Sequence, residues 1–191
     1  MCKLTEFLVL PMFIVFAAST AHAQPYNFLL NQSWQSKGDA TIEKIEENNC
    51  FVVRNGGSFH QEVALPGDAA GQFIVFLGQG SSERIHSDKS ITDLPYLYGH
   101  ILDTGIKRNE RILSYLQGML GRSSGTKDWV TMSGIFKVPE NASRVRFFLN
   151  QASARGMEHD GSAARFFDVG MYLFPTEEGA KLFVEDIRRS R

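Results

Sequence analysis

"SAARFFDVGMYLFP", residues 162–175, reads as a strand with one residue at odds with its neighbours. Phe167, Val169, Met171 and Leu173 alternate as one apolar face, at the two-residue period of a β-strand. Asp168 falls in the middle of the opposite face. A carboxylate there can be a metal ligand, a catalytic acid, a ligand-binding group or a solvated outward residue. What surrounds the strand has to decide.

The stretches before it also read as strands. "CFVVRN" (50–55) is a short apolar run that ends at the Gly56–Gly57 turn signal. "SFHQEVALP" (58–66) alternates, with Phe59, Gln61, Val63 and Leu65 on one side and His60, Glu62 and Ala64 on the other. "GQFIVFLGQG" (71–80) is apolar on both faces, as expected of a strand with neighbours on either side. "LPYLYGHILD" (94–103) and "RILSYLQGM" (111–119) suit a hairpin pair. "DWVTMSGIFKVP" (128–139) points Val130, Met132, Phe136 and Val138 inward, and "SRVRFFLNQ" (143–151) does the same with Val145, Phe147 and Leu149. The polar stretches 81–92 and 121–128 read as loops.

After Pro175 the period changes. Thr176 is an N-cap candidate, Glu177 and Glu178 suit a first helical turn, and Arg188, Arg189 and Arg191 suit a last one. Ala180, Phe183, Val184 and Ile187 share a helical face. The expectation is an all-β chain, a jelly-roll β-sandwich of two antiparallel sheets over residues 24–175, with a short C-terminal helix (176–191) packed on the sandwich edge.

Residues 1–23 read as a signal peptide rather than as part of the fold. Lys3 precedes the apolar run "FLVLPMFIVFAA" (7–18), and "AHA" (21–23) places small residues before Gln24. The run falls short of the roughly 20 residues that span a bilayer, and Pro11 interrupts it, so an uncleaved anchor is the weaker reading. No later segment is apolar enough to span. The mature chain is expected to be secreted or periplasmic.

The 15 phenylalanines supply large apolar area for a core. Lys and Arg number 20 against 21 Asp and Glu, for a formal net charge of −1, so no electrostatic footprint for nucleic acid is present. Cys2 leaves with the signal peptide. Cys50 then has no internal partner and reads as a small buried hydrophobe or as a bridge to another chain.

The order of motifs carries a resemblance. "NFLLNQSWQ" (27–35), "NGGSFHQEVALP" (55–66), "GQFIVFLGQ" (71–79), "DWVTMSGIFKVPENASRVRFFL" (128–149) and "AARFFDVGMYLF" (163–174) follow one another. The succession resembles the galactose-binding-like jelly rolls, especially the carbohydrate-binding modules of bacterial xylanases and glucanases. It covers most of residues 27–174 and implies a β-sandwich of eight or more strands. Many such modules hold a structural calcium between a first-strand Glu and the Asp of the last strand. Asp168 matches that Asp, whereas Gln35 stands at the Glu position. A neutral amide oxygen lowers the charge offered to calcium, so the implied Gln35–Asp168 site is weak or empty. The other reading makes Asp168 a metal-free acceptor tying the last strand to the first.

Catalytic motifs are missing from the sequence. It holds no His-Glu-x-x-His and no cysteine pair, and its single Gly-x-Ser-x-Gly match, "GRSSG" (121–125), lies in the polar stretch read as a loop, with no strand-to-helix pattern around it to make a nucleophile elbow. His159 and Asp160 fall in a polar stretch that reads as a solvated turn. Aromatics are the better candidates, because sugars stack their CH faces on rings and hydrogen-bond through planar polar groups. Alternation puts Tyr96, Tyr98 and His100 on one face, Tyr115 and Gln117 on another strand's face, and Trp129, Thr131, Ser133, Arg146, Phe148 and Asn150 outward on the strands that follow. The expected ligand-binding set is Tyr96, Tyr98, His100, Tyr115, Gln117, Arg146 and Asn150. The expected partner is a glycan or polysaccharide, with loops 81–92 and 121–128 shaping its rim. The alternative is a structural or interaction domain on the same fold, with another exported protein as partner and the tyrosine face covered by it or by the C-terminal helix. Neither reading includes catalysis.

Overall fold

The computed structural model describes residues 25–29, 34–45, 48–85, 95–103, 112–119, 125–151 and 163–190. The signal-peptide segment, His159, Asp160 and Arg191 lie outside them. The strands are β1 (Gln35–Lys37), β2 (Ala40–Ile45), β3 (Asn48–Arg54), β4 (Ser58–Ala64), β5 (Phe73–Ile85), β6 (Pro95–Asp103), β7 (Ile112–Met119), β8 (Gly125–Lys137), β9 (Ala142–Gln151) and β10 (Ala163–Phe174), followed by α1 (Glu177–Arg189). They form two five-stranded antiparallel sheets, β1-β4-β9-β6-β7 and β2-β3-β10-β5-β8. The chain is a β-sandwich with one C-terminal helix. Residues 81–85 continue β5 and residues 125–128 open β8, so both expected loops are shorter than their polar composition implied.

The core follows the alternation. Phe59, Gln61 and Val63 of β4 and Val145, Phe147 and Leu149 of β9 are buried. They meet Phe51 and Val53 of β3, Ile74 and Phe76 of β5, and Ala164, Phe166 and Met171 of β10. Phe76 and Phe147 join the sheets edge to face, with centroids 4.2 Å apart. Trp34 closes one end on Phe51 and Phe147. Each such fully buried ring is worth about 1.5–3 kcal/mol of transfer free energy. Val130 departs from expectation: it is 43% exposed, on an edge strand near a break in the β5–β8 register. Cys50 is a buried free thiol whose pKa burial pushes up, with Glu43 adding to the effect.

β10 carries the main correction. Phe167 pairs with Gln79 and Gly170 with Leu77, so Asp168 and Val169 together oppose Gly78 alone. This is a β-bulge, and it shifts the inward phase by one residue. Ala164 and Phe166 face the core before it, and Val169, Met171 and Leu173 after it. Phe167, expected inward, turns outward and meets Trp129 at 5.9 Å. Asp168 sits at the bulge with φ 50°, a left-handed backbone that Asp tolerates better than most residues. Gly170, two residues on, leaves room for the Tyr172 ring, which a Cβ there would meet at 2.5 Å unless the ring moved.

Asn27 ties the chain's two ends together. β3 accompanies β10 only from Ala163 to Phe167, which leaves the backbone beyond the bulge short of a partner on that side. Asn27 Oδ1 accepts from Met171 N–H at 3.1 Å and from Leu29 N–H at 3.0 Å. Its Nδ2 donates to Val169 C=O at 3.4 Å, and Phe28 N–H donates to Met171 C=O at 2.9 Å.

The helix forms as the sequence dictates. Thr176 Oγ1 accepts from Gly179 N–H at 3.1 Å. Ala180, Phe183, Val184 and Ile187 lie on Phe73, Val75, Leu77, Ile135, Tyr172 and Phe174. α1 thus covers the outer face of the second sheet rather than the edge of the sandwich. No helix among the described residues is long and apolar enough to cross a membrane.

Asn27→Ala is expected to lower unfolding free energy by about 1–3 kcal/mol in urea, the cost of leaving buried backbone groups without partners. Asp168→Asn keeps a residue tolerant of the left-handed region at an exposed position and should cost less. The reverse order would return the tying role to Asp168.

Candidate functional site

The outer face of the first sheet is not the one that α1 covers. Strand register lays its residues out in rows. One row runs Gln35, His60, Phe148, Tyr98 and Gln117 from β1 to β7. A second, on one side, runs Lys37, Ser58, Asn150, Tyr96 and Met119. A third, on the other side, runs Glu62, Arg146, His100 and Tyr115 from β4.

The middle row is built on rings. Tyr98 stacks on Phe148 with centroids 4.6 Å apart and planes 10° from parallel. His60 lies 6.0 Å and His100 5.3 Å from the same Phe148 ring. Polar groups frame the rings. Arg146 Nη2 and Nε donate to one oxygen of Glu62 at 2.8 and 3.0 Å, and Arg144 Nε meets the other at 3.1 Å. A groove of about 810 Å³ runs over this surface, lined by Gln35, Lys37, Ser58, His60, Glu62, Tyr98, Arg146, Phe148 and Asn150 among others. From β1 to β6 it crosses three strand spacings, roughly 14 Å, room for a chain of sugars rather than one.

Of the expected binding residues, Tyr98, Arg146 and Asn150 line the groove and His100 touches its ring stack. Tyr96, Tyr115 and Gln117 are placed by register alone: opposite Asn150, His100 and Tyr98 respectively. Trp129, Thr131 and Ser133 belong to β8 in the other sheet and are not part of this face. His60, Glu62 and Lys37 are additions. Alternation had already turned His60 and Glu62 outward, but nothing local to β4 shows that β9 brings Phe148 and Arg146 beside them.

The structure does not bring Gln35 and Asp168 together. Gln35 lies across from His60 on the first sheet and lines the groove. Asp168 is on the second sheet, in a separate cavity of about 490 Å³ with Asn27, Trp34, Lys44, Asn48 and Asn49. The calcium implied by resemblance needs both donors at one point, and this pair does not supply it. Among the described residues, no three His, Cys, Asp or Glu side chains gather where they could hold a metal.

No family model matches the chain, and no curated protein matches it. Solved structures do. One is the enzymatically active domain of tailspike protein 4 of bacteriophage CBA120, at 13% identity and TM-score 0.48 over 76% of this chain. This chain spans only 20% of that one. Others are the CBM22-2 xylan-binding domain of Xyn10C from Paenibacillus barcinonensis and TmCBM61 in complex with β-1,4-galactotriose. The first has 12% identity, TM-score 0.46, and coverage of 73% of this chain and 90% of that one. The second has 18% identity, TM-score 0.43, and coverage of 78% and 98%. These two neighbours are carbohydrate-binding modules. At such identities and scores the likeness does not extend to a ligand, which has to be argued from the groove itself.

Burial, and then the nearby Arg146 guanidinium, lower the His100 pKa below the ordinary histidine value of 6.5. The imidazole is therefore neutral at pH 7 and can both donate and accept a hydrogen bond. The unfolded chain takes the proton more readily than the folded one. Stability from this group is thus lost as pH falls through 6.5 toward the folded pKa, and is level above and below that window. An NMR titration should place His100 below 6.5, and Arg146→Gln should raise it only part of the way, because burial is the larger cause. A full return to the ordinary value would assign the shift to charge instead.

Proposed function

We propose that the chain is an exported, non-catalytic carbohydrate-binding β-sandwich, holding a polysaccharide along the outer face of its first sheet. The observation that carries this reading is the stacked Tyr98–Phe148 pair on a face not covered by the helix, flanked by His60 and His100 and framed by Gln35 and Asn150. A ring pair stacked on a sheet surface offers the outer edges and flanks of its rings as apolar area to the CH groups of sugars. Amides and imidazoles beside them meet the hydroxyls, donating and accepting as each requires. Tyr and Phe hold their shape with few rotatable bonds, so little freedom is lost on binding.

The same groove supports a binding role over a catalytic one. Glycoside hydrolysis uses two carboxylates placed across the bond to be cut. The carboxylate among the described groove residues is Glu62, and both of its oxygens are engaged by Arg144 and Arg146. A second reading, a structural or protein-interaction domain, draws on the edge strand β2, where Ile42 is 50% and Ile45 39% exposed. Exposed apolar side chains on an edge strand suit contact with another protein.

Tyr98→Ala should weaken binding to a retained polysaccharide by about 1–3 kcal/mol, the scale of a ring that anchors an interface. Its cost in stability should stay below the roughly 3–5 kcal/mol of a core substitution such as Phe147→Ala. A glycan array that retains nothing, with Tyr98→Ala as destabilising as Phe147→Ala, would hand the face to the interaction reading. Export has its own readout: mass spectrometry of the secreted or periplasmic protein should find the N-terminus at Gln24, and an intact N-terminus in the membrane fraction would refute it.

A further inference from the structure

The groove's charge narrows the kind of glycan. Its lining holds two cations, Lys37 and Arg146, against one carboxylate, Glu62. That carboxylate is also paired with Arg144, the next outward residue of β9. Lys37 makes no ion pair among the described residues. It stands in the row beside the ring stack, with Ser58 and Asn150 next to it in register. An ammonium, a hydroxyl and an amide N–H thus line one side of the groove in a row across three strands, and Gln35 adds a further amide from the ring row. These are donors suited to the oxygens of an anion. The chain as a whole carries a formal charge of −1, so this positive field is local to the groove and not a property of the surface at large.

We propose that the polysaccharide is acidic, with a sugar carboxylate or sulfate seated beside Lys37 while its ring lies along the Tyr98–Phe148 stack. This rests on the glycan-binding reading and adds the ligand's charge to it. Arg146 is held in place by Glu62 and shapes the opposite side of the rings, and Lys37 supplies the ammonium that meets the anion. A neutral chain would fill the same space but would leave that ammonium to water.

The test compares retention of the folded protein by a polygalacturonate, a sulfated galactan and a neutral galactan in affinity electrophoresis, at low and at high salt. Tighter binding to an acidic polymer is expected, weakening as salt screens it. Lys37→Gln should weaken that binding roughly two- to fivefold, the scale of an exposed ion pair, remove most of its salt dependence, and weaken retention by the neutral galactan by less. Preference for the uronate or for the sulfate ester then says which anion the site takes. Equal retention of acidic and neutral polymers, insensitive to salt, overturns the acidic ligand and leaves the glycan reading standing. An acidic preference untouched by Lys37→Gln overturns the placement of the anion. Retention of none of the polymers, by a protein whose melting curve is intact, overturns both.

Discussion

One extra residue opposite Gly78 sets which side chains of the central strand face the core. β10 lies between β3 and β5 in the middle of its sheet, and both of its faces are in demand. Inward, it fills the sandwich with Ala164, Phe166 and Met171. Outward, beyond the bulge, Tyr172 and Phe174 meet Phe183 of α1. A strand of even period would bury Phe167 and turn Phe166 out. The bulge at Asp168 instead gives each half of the strand its own phase, and the same irregularity leaves the backbone that Asn27 takes up.

The two outer faces have opposite fates for the same physical reason. Phe73, Val75, Leu77 and Ile135 make the second sheet's outer face apolar there, and that area has to leave water, so the amphipathic helix lies on it. The first sheet presents Gln35, His60, Glu62, Arg146 and Asn150 among its rings. Those groups are solvated or paired with one another, so no cover is needed. A face that is stable in water yet carries stacked rings can exchange water for a ligand at small cost.

Much of this could be read in the chain. In β4 and β9 the alternation holds without a break, and Phe59, Val63, Val145, Phe147 and Leu149 lie where the period put them. Thr176 and the face from Ala180 to Ile187 likewise follow from local chemistry. β10 could not be read the same way, because a bulge is set by the partner strand and both phases of "RFFDVGM" look apolar. The groove was half legible: alternation turned Tyr98, Phe148 and His60 outward, but only the register between β4, β9 and β6 makes them neighbours. Gln35 was assigned to Asp168 by resemblance, and register puts it beside His60 instead.

The central position of the last strand also orders events in time. As the chain is made, β2, β3, β5 and β8 all emerge before residues 163–174. Until then their sheet has a gap at its middle, and Asn27 lacks the backbone it binds. Pairings this distant in sequence form slowly even in the free chain. Closure of this sheet therefore waits for the C-terminal end, and a chain still on the ribosome keeps its two halves apart until residues 163–174 have emerged.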